Sequence, residues 1–447
     1  MTKEEFITAI RDAGIVGEGG AGFPSHVKYA AAAETVIANG CECEPLLHTD
    51  RHHMAHNAQG IARALAALAS ATGAKRGIFA LKSKQRAVIP LVREACGMFG
   101  LEMTLLDDFY PAGDEQVLVR ELTGKSPPPL GIPLHVGCIV SNVGTLASVD
   151  AAVRDGRAVT HKSLTVTGEV KQPGIVHAPL GAAMSECLAL AGGALVKDAV
   201  FILGGPMMGR VIAGEDALRR EVVTKTSGGL IVLPRGCHLH LNAVQTADSM
   251  RRRAAAACIQ CRCCSDLCPR MLIGHPFETH KVMRAFGSNA ELGSEAGKLA
   301  HLCCECGICE HYACPMQLSP RRINQAVKAA LRAANVAYDG SRELREAQGI
   351  WRALRKIPVP RLVARLGIAR YMHLETPDLG SVAPAIVRIP LRQHIGAPAS
   401  ALVKPGDRVR AGQCIGGLPE KGLGARIHAS VDGTVTAVDG DVTIKAE

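Results

Sequence analysis

Two cysteine-rich stretches decide how this chain is organised: Cys258-Ile-Gln-Cys261-Arg-Cys-Cys264-Ser-Asp-Leu-Cys268-Pro269 and Cys303-Cys-Glu-Cys306-Gly-Ile-Cys309-Glu-His-Tyr-Ala-Cys314-Pro315. The first has the spacing C-x2-C-x2-C-x3-C-P, and the second has one more residue before its last cysteine. In bacterial iron–sulfur proteins this spacing aims three thiolates of a compact loop at one 4Fe-4S cluster, while the fourth cysteine binds the other cluster. Electron transfer through two clusters is therefore the first functional hypothesis.

This crossed arrangement predicts two sets of cluster ligands. One set is Cys258, Cys261, Cys264 and Cys314, and the other is Cys303, Cys306, Cys309 and Cys268. A pair of structural zinc sites is the alternative, because a repeated C-x2-C also suits tetrahedral zinc. Zinc leaves the third spacing and the trailing Cys-Pro of both stretches unexplained, so clusters are the favoured interpretation. Cys263 and Cys304 lie off the spacing and are interpreted as non-ligands.

Composition narrows the class of protein. A chain of 447 residues with 17 cysteines is too long for a disulfide-stapled miniprotein and predicts several domains. Thiolate clusters need a reducing compartment. The first residues are acidic where a secretory signal would be basic, which does not favour secretion. The sequence also contains no long apolar stretch that would predict a membrane span. We therefore expect a soluble, cytoplasmic protein that is not inserted in a membrane.

The charge balance does not favour nucleic-acid binding. The net charge is +10, but the basic residues are mostly dispersed and only 3% of the residues are aromatic. Proteins that bind single strands need aromatic stacking platforms, which this chain lacks. We interpret the positive charge as a source of electrostatic potential that attracts anionic cofactors.

Four segments follow from the pattern along the chain. Residues 1–155 alternate Gly/Pro turns, alanine-rich helices and short apolar strands, which predicts an α/β domain with a mainly parallel sheet. Residues 158–215 predict a small β-grasp-like domain, and residues 245–330 hold the cysteine stretches between short helices. Residues 385–447 resemble an all-β barrel sandwich of the lipoyl type. The residues around Lys421 do not match those that flank a lipoylated lysine, so we interpret this segment as a docking or structural module.

Four histidines lie close together after the turn at Pro45, namely His48, His52, His53 and His56. Imidazole is a common ligand of metals, so these side chains could bind a metal ion or cobalt. Their spacing fits no closed metal site, however, and a surface run of histidines explains the pattern equally well.

A glycine-rich loop near the start of the chain, Gly17-Glu-Gly-Gly-Ala-Gly-Phe23-Pro24, can bring backbone N–H groups against a phosphate. It lacks the Gly-Lys-Ser/Thr of a Walker motif, and it is not a dinucleotide-binding fingerprint placed after a strand. Three later motifs add amide and acidic groups at turns: Asn39-Gly-Cys-Glu-Cys-Glu-Pro45, Tyr110-Pro-Ala-Gly-Asp-Glu115 and Ser141-Asn-Val-Gly-Thr145. In order and together, the four motifs resemble the FMN- and NADH-binding subunit of respiratory complex I. Its relatives include the Rnf complex C subunit and the cobalamin reductase of propanediol-utilisation microcompartments.

The resemblance implies cofactor contacts at the matching positions. The FMN contacts are Gly17, Gly19, Gly20, Lys28, Asn39, Glu42, Gly113, Asp114, Asn142 and Thr145, and the NADH contacts are Phe23, Glu44 and Glu115. Two positions depart from the complex I pattern: Glu18 stands where complex I has an Arg, and Gly144 stands where it has a Glu.

The resemblance also implies a multidomain α/β fold. Its parts are a complex I flavoprotein-like FMN domain, an SLBB-type β-grasp domain, a two-cluster ferredoxin-like helical domain and a C-terminal barrel-sandwich hybrid. The barrel sandwich comes last, as in the microcompartment cobalamin reductase, whereas in the Rnf C subunit it comes first.

The implied activity is NADH-dependent electron transfer through FMN and two 4Fe-4S clusters to cob(III)alamin or cob(II)alamin. Such a reductase supports cofactor regeneration in a bacterial microcompartment, with an adenosyltransferase and shell or enzyme proteins as partners. One alternative is an electron-transfer subunit like Rnf C, or one serving a glycyl-radical microcompartment, with ferredoxin or another protein as acceptor. The other alternative is a non-catalytic electron relay.

Overall fold

The computed structural model describes residues 1–345 and 349–447. The α-helices, in chain order, are α1 (Lys3–Asp12), α2 (Ser25–Tyr29), α3 (Thr49–Thr72), α4 (Ile89–Phe99), α5 (Glu115–Thr123), α6 (Val143–Asp155), α7 (Met184–Leu190), α8 (Glu215–Arg220), α9 (His238–Ala243), α10 (Ala247–Ala257), α11 (Cys263–Asp266), α12 (Pro269–Leu272), α13 (Thr279–Gly287), α14 (Glu295–Lys298), α15 (Pro320–Ala333), α16 (Gly349–Leu354) and α17 (Val359–Leu366). Within the described ranges, none of these helices has both the length and the apolar character needed to cross a bilayer.

The strands are short and fall into several sheets. In chain order they are β1 (Thr35–Gly40), β2 (Arg76–Lys82), β3 (Glu102–Leu106), β4 (Phe109–Tyr110), β5 (Cys138–Asn142), β6 (His161–Gly168), β7 (Gly174–Pro179), β8 (Ala199–Leu203), β9 (Arg210–Ala213), β10 (Gly229–Pro234), β11 (Ile357–Pro358), β12 (Asp378–Ser381), β13 (Ile386–Pro390), β14 (Ser400–Ala401), β15 (Arg408–Val409), β16 (Cys414–Gly417), β17 (Ile427–His428), β18 (Gly433–Asp439) and β19 (Asp441–Ala446).

The N-terminal domain, formed by α1–α6 and β1–β5, is built on the predicted parallel sheet, in the order β3-β2-β1-β5. Alternate residues of β1 face opposite sides of the sheet, as the period of a strand requires. Val36 and Ala38 pack with α3 and α6 in one core, and Ile37 packs with α5 in another. The chain adds β2 and β3 on one side of β1 and then places β5 on the other side. The order in which strands are added therefore reverses between β1 and β5. Open α/β sheets bind ligands at the carboxyl ends of the strands at such a point.

The mixed-sheet domain, formed by β6–β10 and β12, follows in a sheet of order β12-β7-β6-β10-β8-β9. Two of its strands, β10 and β12, come from outside residues 158–215, and β10 lies between β6 and β8. Leu164, Val166 and Leu230 from this sheet belong to the same buried core as α3 and α6. The first two domains therefore share one hydrophobic core.

The cysteine domain, formed by α10–α15, packs around Phe277, Ile323 and Leu331. The C-terminal barrel consists of two antiparallel sheets, β13-β19-β18-β15 and β14-β16-β17, around Val387, Ile415 and other aliphatic side chains. The cysteine domain and the barrel thus each have an apolar core apart from the one that the first two domains share.

A fully buried lysine joins three of these units. Lys225, in the connection before β10, donates hydrogen bonds from Nζ to the carbonyl oxygens of Gly14 at 2.6 Å and Arg426 at 2.7 Å. Gly14 has a φ of +67°, and a Cβ at this position would lie 2.3 Å from the Arg426 oxygen. The N-terminal domain and the barrel therefore approach each other closely only because this residue is glycine.

Lys225 should make the stability of the protein rise with pH above neutrality. Burial lowers its pKa to about 7, whereas a lysine in the unfolded chain titrates near 10.4. Between these values the unfolded chain binds the extra proton, so the free energy of unfolding increases with pH through this window. We expect urea unfolding midpoints measured at pH 7 and pH 9.5 to show this increase in the wild type and a smaller increase in Lys225→Met. Equal pH dependence in both proteins would contradict the assignment.

Candidate flavin and iron–sulfur sites

The cysteines of the two stretches line two separate cavities in the cysteine domain. The first cavity is lined by Cys258, Cys261, Cys264 and Cys314, and the second by Cys268, Cys303, Cys306 and Cys309. Each set combines three cysteines of one stretch with the last cysteine of the other, so each cavity is lined by the four thiols of one predicted set. This donor set fits a 4Fe-4S cluster in each. Cys304 and Cys264 also border the second cavity, whereas Cys263 is not among the residues that line either one.

Both cysteine loops contain non-glycine residues with a positive φ. Gln260, Arg262 and Glu305 have φ values of 55°, 66° and 61°, a region that residues other than glycine seldom occupy. The turns direct polar hydrogens toward sulfur: Glu305 N lies 3.3 Å from Cys303 Sγ, and Gln260 Nε2 lies 3.0 Å from Cys258 Sγ. Hydrogen bonds to cluster sulfurs are one means by which a protein sets a cluster's potential.

A π-helical turn over Cys309–Ala313 explains how the longer second stretch keeps its last cysteine in place. The backbone N–H of Cys314 donates to the carbonyl oxygen of Cys309 at 3.2 Å, five residues back. In the first stretch, Cys268 N instead bonds to Ser265, three residues back. A π turn holds one more residue than an α turn, so it absorbs the insertion within the loop.

The glycine-rich loop lies beside the carboxyl end of β5, the strand that pairs with β1. Glu18 N donates to Thr145 Oγ1 at 3.0 Å, and a Cβ on Gly19 would lie 3.2 Å from Asn142 Cβ. A Cβ on Gly20 would meet nothing within 4 Å, so open space lies beside the loop. Asn39 and Asn142 are register partners at the ends of the two strands. We call this place, between the loop and the two strand ends, the flavin crevice.

The second and third motifs meet at the same crevice. Asn39 Nδ2 donates to the carbonyl oxygen of Gly113 at 2.9 Å, and Asn39 Oδ1 accepts from Cys41 N at 3.1 Å. A Cβ on Gly113 would lie 2.6 Å from the Cys41 oxygen, so a larger residue would push the two loops apart. All four predicted motifs are thus brought together, although they are far apart in the sequence.

Several predicted contact residues already have partners in the protein. Lys28 Nζ lies 2.9 Å from Glu115 Oε1. Glu42 Oε1 accepts from the backbone N–H groups of Thr49 at 3.0 Å and Asp50 at 3.2 Å, so it caps the start of α3. Burial raises the pKa of Glu42. Phe23 is half-buried, and its carbonyl oxygen accepts from Gly17 N at 2.9 Å.

Glu44 Oε1 in the second motif and His53 Nε2 beside Gly144 are buried and have no hydrogen-bond partner among the described residues. The other oxygen of Glu44 accepts from Met207 N in the mixed-sheet domain at 2.9 Å, and burial raises the pKa of this carboxyl to about 7. Burial lowers the pKa of His53 to about 4. Buried polar atoms without partners are rare in native proteins, and here they fit the hydroxyl and amide groups of a nucleotide.

The two departures from the complex I pattern are physically coupled. A Cβ on Gly144 would lie 2.6 Å from Glu18 Oε2, so Glu18 fills the space that a side chain at position 144 would need. Glu18 forms a buried ion pair with Lys162 and accepts from Ser148 Oγ at 2.9 Å. Burial raises the pKa of Glu18, but Lys162, His53 and Ser148 together lower it by more, so the net pKa is below its usual value. The glycine-rich loop therefore contributes a carboxylate beside the start of α6.

Replacing Gly144 with Ala should displace Glu18 and loosen the crevice. Overpacking of this kind costs about 1–3 kcal/mol, and we expect the purified variant to retain less flavin than the wild type. Gly97→Ala is the matched control, because Gly97 also lies in a helix, α4, but has nothing within 4 Å of its Cβ position. Flavin content and urea unfolding measure both effects. A Gly144→Ala variant as flavin-loaded and as stable as the control would contradict this account.

The crevice and the second cavity are tied together by two contacts that the sequence analysis missed. Asp114, the N-cap of α5, forms a two-point ion pair with Arg270 at 2.6 and 2.9 Å. Tyr110 Oη donates to the carbonyl oxygen of Cys306 at 2.7 Å, and this bond is buried. Arg270 directly follows Cys268-Pro269, but no sequence signal shows that its partner lies 156 residues away. These contacts place the cavity that includes Cys268 and Cys306 next to the flavin crevice.

Family models match four parts of the chain. The Nuo51 FMN-binding domain matches residues 10–151, the SLBB domain residues 163–211, a 4Fe-4S dicluster domain residues 257–319 and the RnfC barrel sandwich hybrid domain residues 379–447. The curated cobalamin reductase PduS of Salmonella typhimurium strain LT2 is 41% identical over 444 residues, which are 98% of this chain and 95% of that protein. This chain belongs to the PduS family of cobalamin reductases.

Other relatives of this PduS-family chain cover less of it. The C subunit of the ion-translocating oxidoreductase complex of Rhodobacter capsulatus is 33% identical over 63% of this chain and 52% of that protein. The crystal structure of NAD+-reducing NiFe hydrogenase in the H2-reduced state contains a chain with a TM-score of 0.51 and 21% identity, over 81% of this chain and 67% of that chain. This last similarity shows the fold alone.

The matches confirm the predicted fold class and the predicted FMN and 4Fe-4S cofactors. They also make this PduS-family chain an oxidoreductase, of the class that carries out NADH-linked flavin and iron–sulfur electron transfer.

Proposed function

We propose that this chain is an NADH-dependent reductase of cob(III)alamin and cob(II)alamin. The observation that carries the proposal is the similarity to PduS, because it spans 98% of the chain and so includes the flavin crevice and both cysteine-lined cavities. The corrin acceptor comes from the name of that relative. The geometry of this chain supports NADH as the electron donor and a route through FMN and the two clusters.

The proposed cofactor contacts are those that the four motifs imply. Backbone N–H groups of the glycine-rich loop would hold the FMN phosphate, and the amides at Asn39 and Asn142 would hold the ring system. Glu44, Glu115 and Phe23 would position the nicotinamide nucleotide. When bound, FMN accepts the two electrons of a hydride together and can release them singly, which suits one-electron clusters.

Two contacts would fix the distance between the flavin and the nearer cluster. The Arg270–Asp114 ion pair and the Tyr110–Cys306 hydrogen bond hold the second cavity against the flavin crevice. The first cavity lies nearer to the surface: Cys261 is exposed, and the neighbouring side chains of Ile259 and Met316 are 65% and 41% exposed. We propose that the ligand set with Cys268 serves the flavin and that the set with Cys314 faces the acceptor.

The proposed location is the bacterial cytoplasm, within a microcompartment. Shell or enzyme proteins and an adenosyltransferase are the proposed partners, because cob(I)alamin is the form that such a transferase uses. Co-sedimentation of the tagged chain with purified microcompartments tests this part. Recovery of the chain only in the fraction free of shells would contradict it.

Anaerobic turnover tests the activity directly. We expect cluster-loaded, FMN-loaded protein to oxidise NADH in the presence of hydroxocobalamin, with formation of cob(II)alamin seen by its absorbance. Ferredoxin, offered at the same concentration, is the comparison acceptor. Faster reduction of ferredoxin with cobalamin untouched would support an Rnf C-like role instead, and no NADH oxidation with either acceptor or with ferricyanide would support an electron relay.

A further inference from the structure

Three side chains from different elements meet on the surface between the N-terminal domain and the mixed sheet. They are His52 in α3, His177 in β7 and Asp378 in β12, and their ligand atoms all lie within 4.8 Å of one another. His177 Nε2 lies 3.0 Å from Asp378 Oδ2, and the His52 and His177 ring centroids are 5.2 Å apart. We propose that this histidine–aspartate triad binds a divalent first-row transition metal ion, with zinc as the probe.

The donor chemistry suits such an ion. Two imidazole nitrogens and one carboxylate oxygen are borderline ligands that favour zinc and its neighbours over magnesium or calcium, which prefer oxygen alone. Three protein ligands leave at least one coordination position for water or an external ligand. The sequence left metal binding open for His52, but His177 and Asp378 come from distant parts of the chain that only the fold brings close.

Two of the three ligands are held in position by a second layer of hydrogen bonds. Ser163 Oγ lies 2.8 Å from His177 Nδ1, which directs the other ring nitrogen, Nε2, toward the triad. Gly380 N donates to Asp378 Oδ1 at 2.8 Å, so the other oxygen, Oδ2, faces His177. Outer-shell contacts of this kind orient ligands in known metal sites. A solvated surface pair of His and Asp would not require either contact.

The triad is open enough for an ion to enter. The side chains of His177 and Asp378 are 26% and 46% exposed, and His52 is half-buried. The His52 ring also lies against the ring of His56, with centroids 4.2 Å apart and planes tilted by 35°, which limits the rotation of the His52 ring.

A metal ion at this place would join α3 to β7 and β12. Since α3 begins at the flavin crevice, the ion would fix the mixed sheet relative to that crevice. The inference does not rest on the electron acceptor or on NADH, and its test is independent of turnover.

The test uses the full chain with FMN and clusters loaded, so that the cysteines are occupied. After removal of loose metal with a chelator, the protein is dialysed anaerobically against dilute zinc, and bound zinc is measured by mass spectrometry and by X-ray absorption at the zinc edge. The variants are His177→Ala and Asp378→Asn in the triad and Ser163→Ala behind it. The control is His161→Ala, which removes an exposed histidine from the adjacent strand, β6.

We expect one tightly bound zinc ion per wild-type chain, with nitrogen and oxygen neighbours at about 2.0–2.1 Å. Affinity should fall by at least about 100-fold in both triad variants and by roughly 10-fold in Ser163→Ala, and it should be unchanged in the control. Unchanged flavin and cluster spectra will show that the variants are folded. Sulfur neighbours at about 2.3 Å, equal binding by wild type and variants, or no tight binding by the wild type would each overturn the proposal.

Discussion

Cys268→Ser should remove the cluster built on the other cysteine stretch and lower cobalamin reduction by at least about 100-fold, while NADH still bleaches the flavin. Cys268 belongs to the first stretch by sequence, but it lines the cavity formed by Cys303, Cys306 and Cys309. This cavity is the one that the Tyr110–Cys306 hydrogen bond holds against the flavin crevice. Loss of its cluster would therefore break the route close to its start.

Iron analysis and EPR spectroscopy of the reduced protein measure the effect. We expect iron to fall from about eight to about four per chain in Cys268→Ser, and also in Cys314→Ser, with a different EPR signal lost in each. Cys263→Ser is the matched control, because Cys263 lies within the first stretch but does not appear in the lining of either cavity. If Cys268→Ser and Cys258→Ser lost the same signal, each stretch would hold its own cluster and the crossed arrangement would be wrong.

Arg270→Met should have the largest effect on stability among single charge removals that we propose. Arg270 and Asp114 have side chains only 10% and 17% exposed, and they form two hydrogen bonds. Burial raises the pKa of Asp114, but the Arg270 guanidinium and the backbone N–H groups of Val117 and Gln116 together lower it by more, so the carboxyl is held ionised. Removing Arg270 leaves that charge buried without its partner, which costs about 3–5 kcal/mol.

Arg76→Met is the matched control for this prediction. Arg76 also forms a two-point pair, with Glu102 at 2.8 and 2.7 Å, but both side chains are 45–48% exposed. We expect its loss to cost within about 1 kcal/mol. Anaerobic urea unfolding compares the two variants, and the double variant Arg270→Met with Asp114→Asn should recover part of the loss, since no charge then remains buried alone. Equal losses in Arg270→Met and Arg76→Met would contradict the role of burial.

The cysteine sets and the first sheet were accessible from the sequence because their signals are local. Ligand spacing predicts the loop, and short apolar runs such as those ending at Asn39 and Asn142 predict buried parallel strands. The crossed sharing of Cys268 and Cys314 stays a prediction, taken from the way such loops share ligands in two-cluster ferredoxins. The residues that line the two cavities agree with it.

The remaining contacts depend on pairing between distant segments, which no local pattern records. The Arg270–Asp114 pair and the fit of Glu18 into the space at Gly144 join residues more than 100 positions apart. Strand β10 enters the middle of the mixed sheet, although its apolar run lies beyond residues 158–215. Likewise, a histidine cluster in α3 gave no indication that His177 and Asp378 complete it.

The most direct test of the account is an anaerobic NADH titration followed by EPR and optical spectra, with hydroxocobalamin added at the end. The account predicts that NADH bleaches the flavin, that signals from two reduced clusters appear, and that both decay as the cob(II)alamin signal grows. Cluster signals that persist unchanged after hydroxocobalamin is added would contradict the proposal that these electrons leave the protein to a corrin.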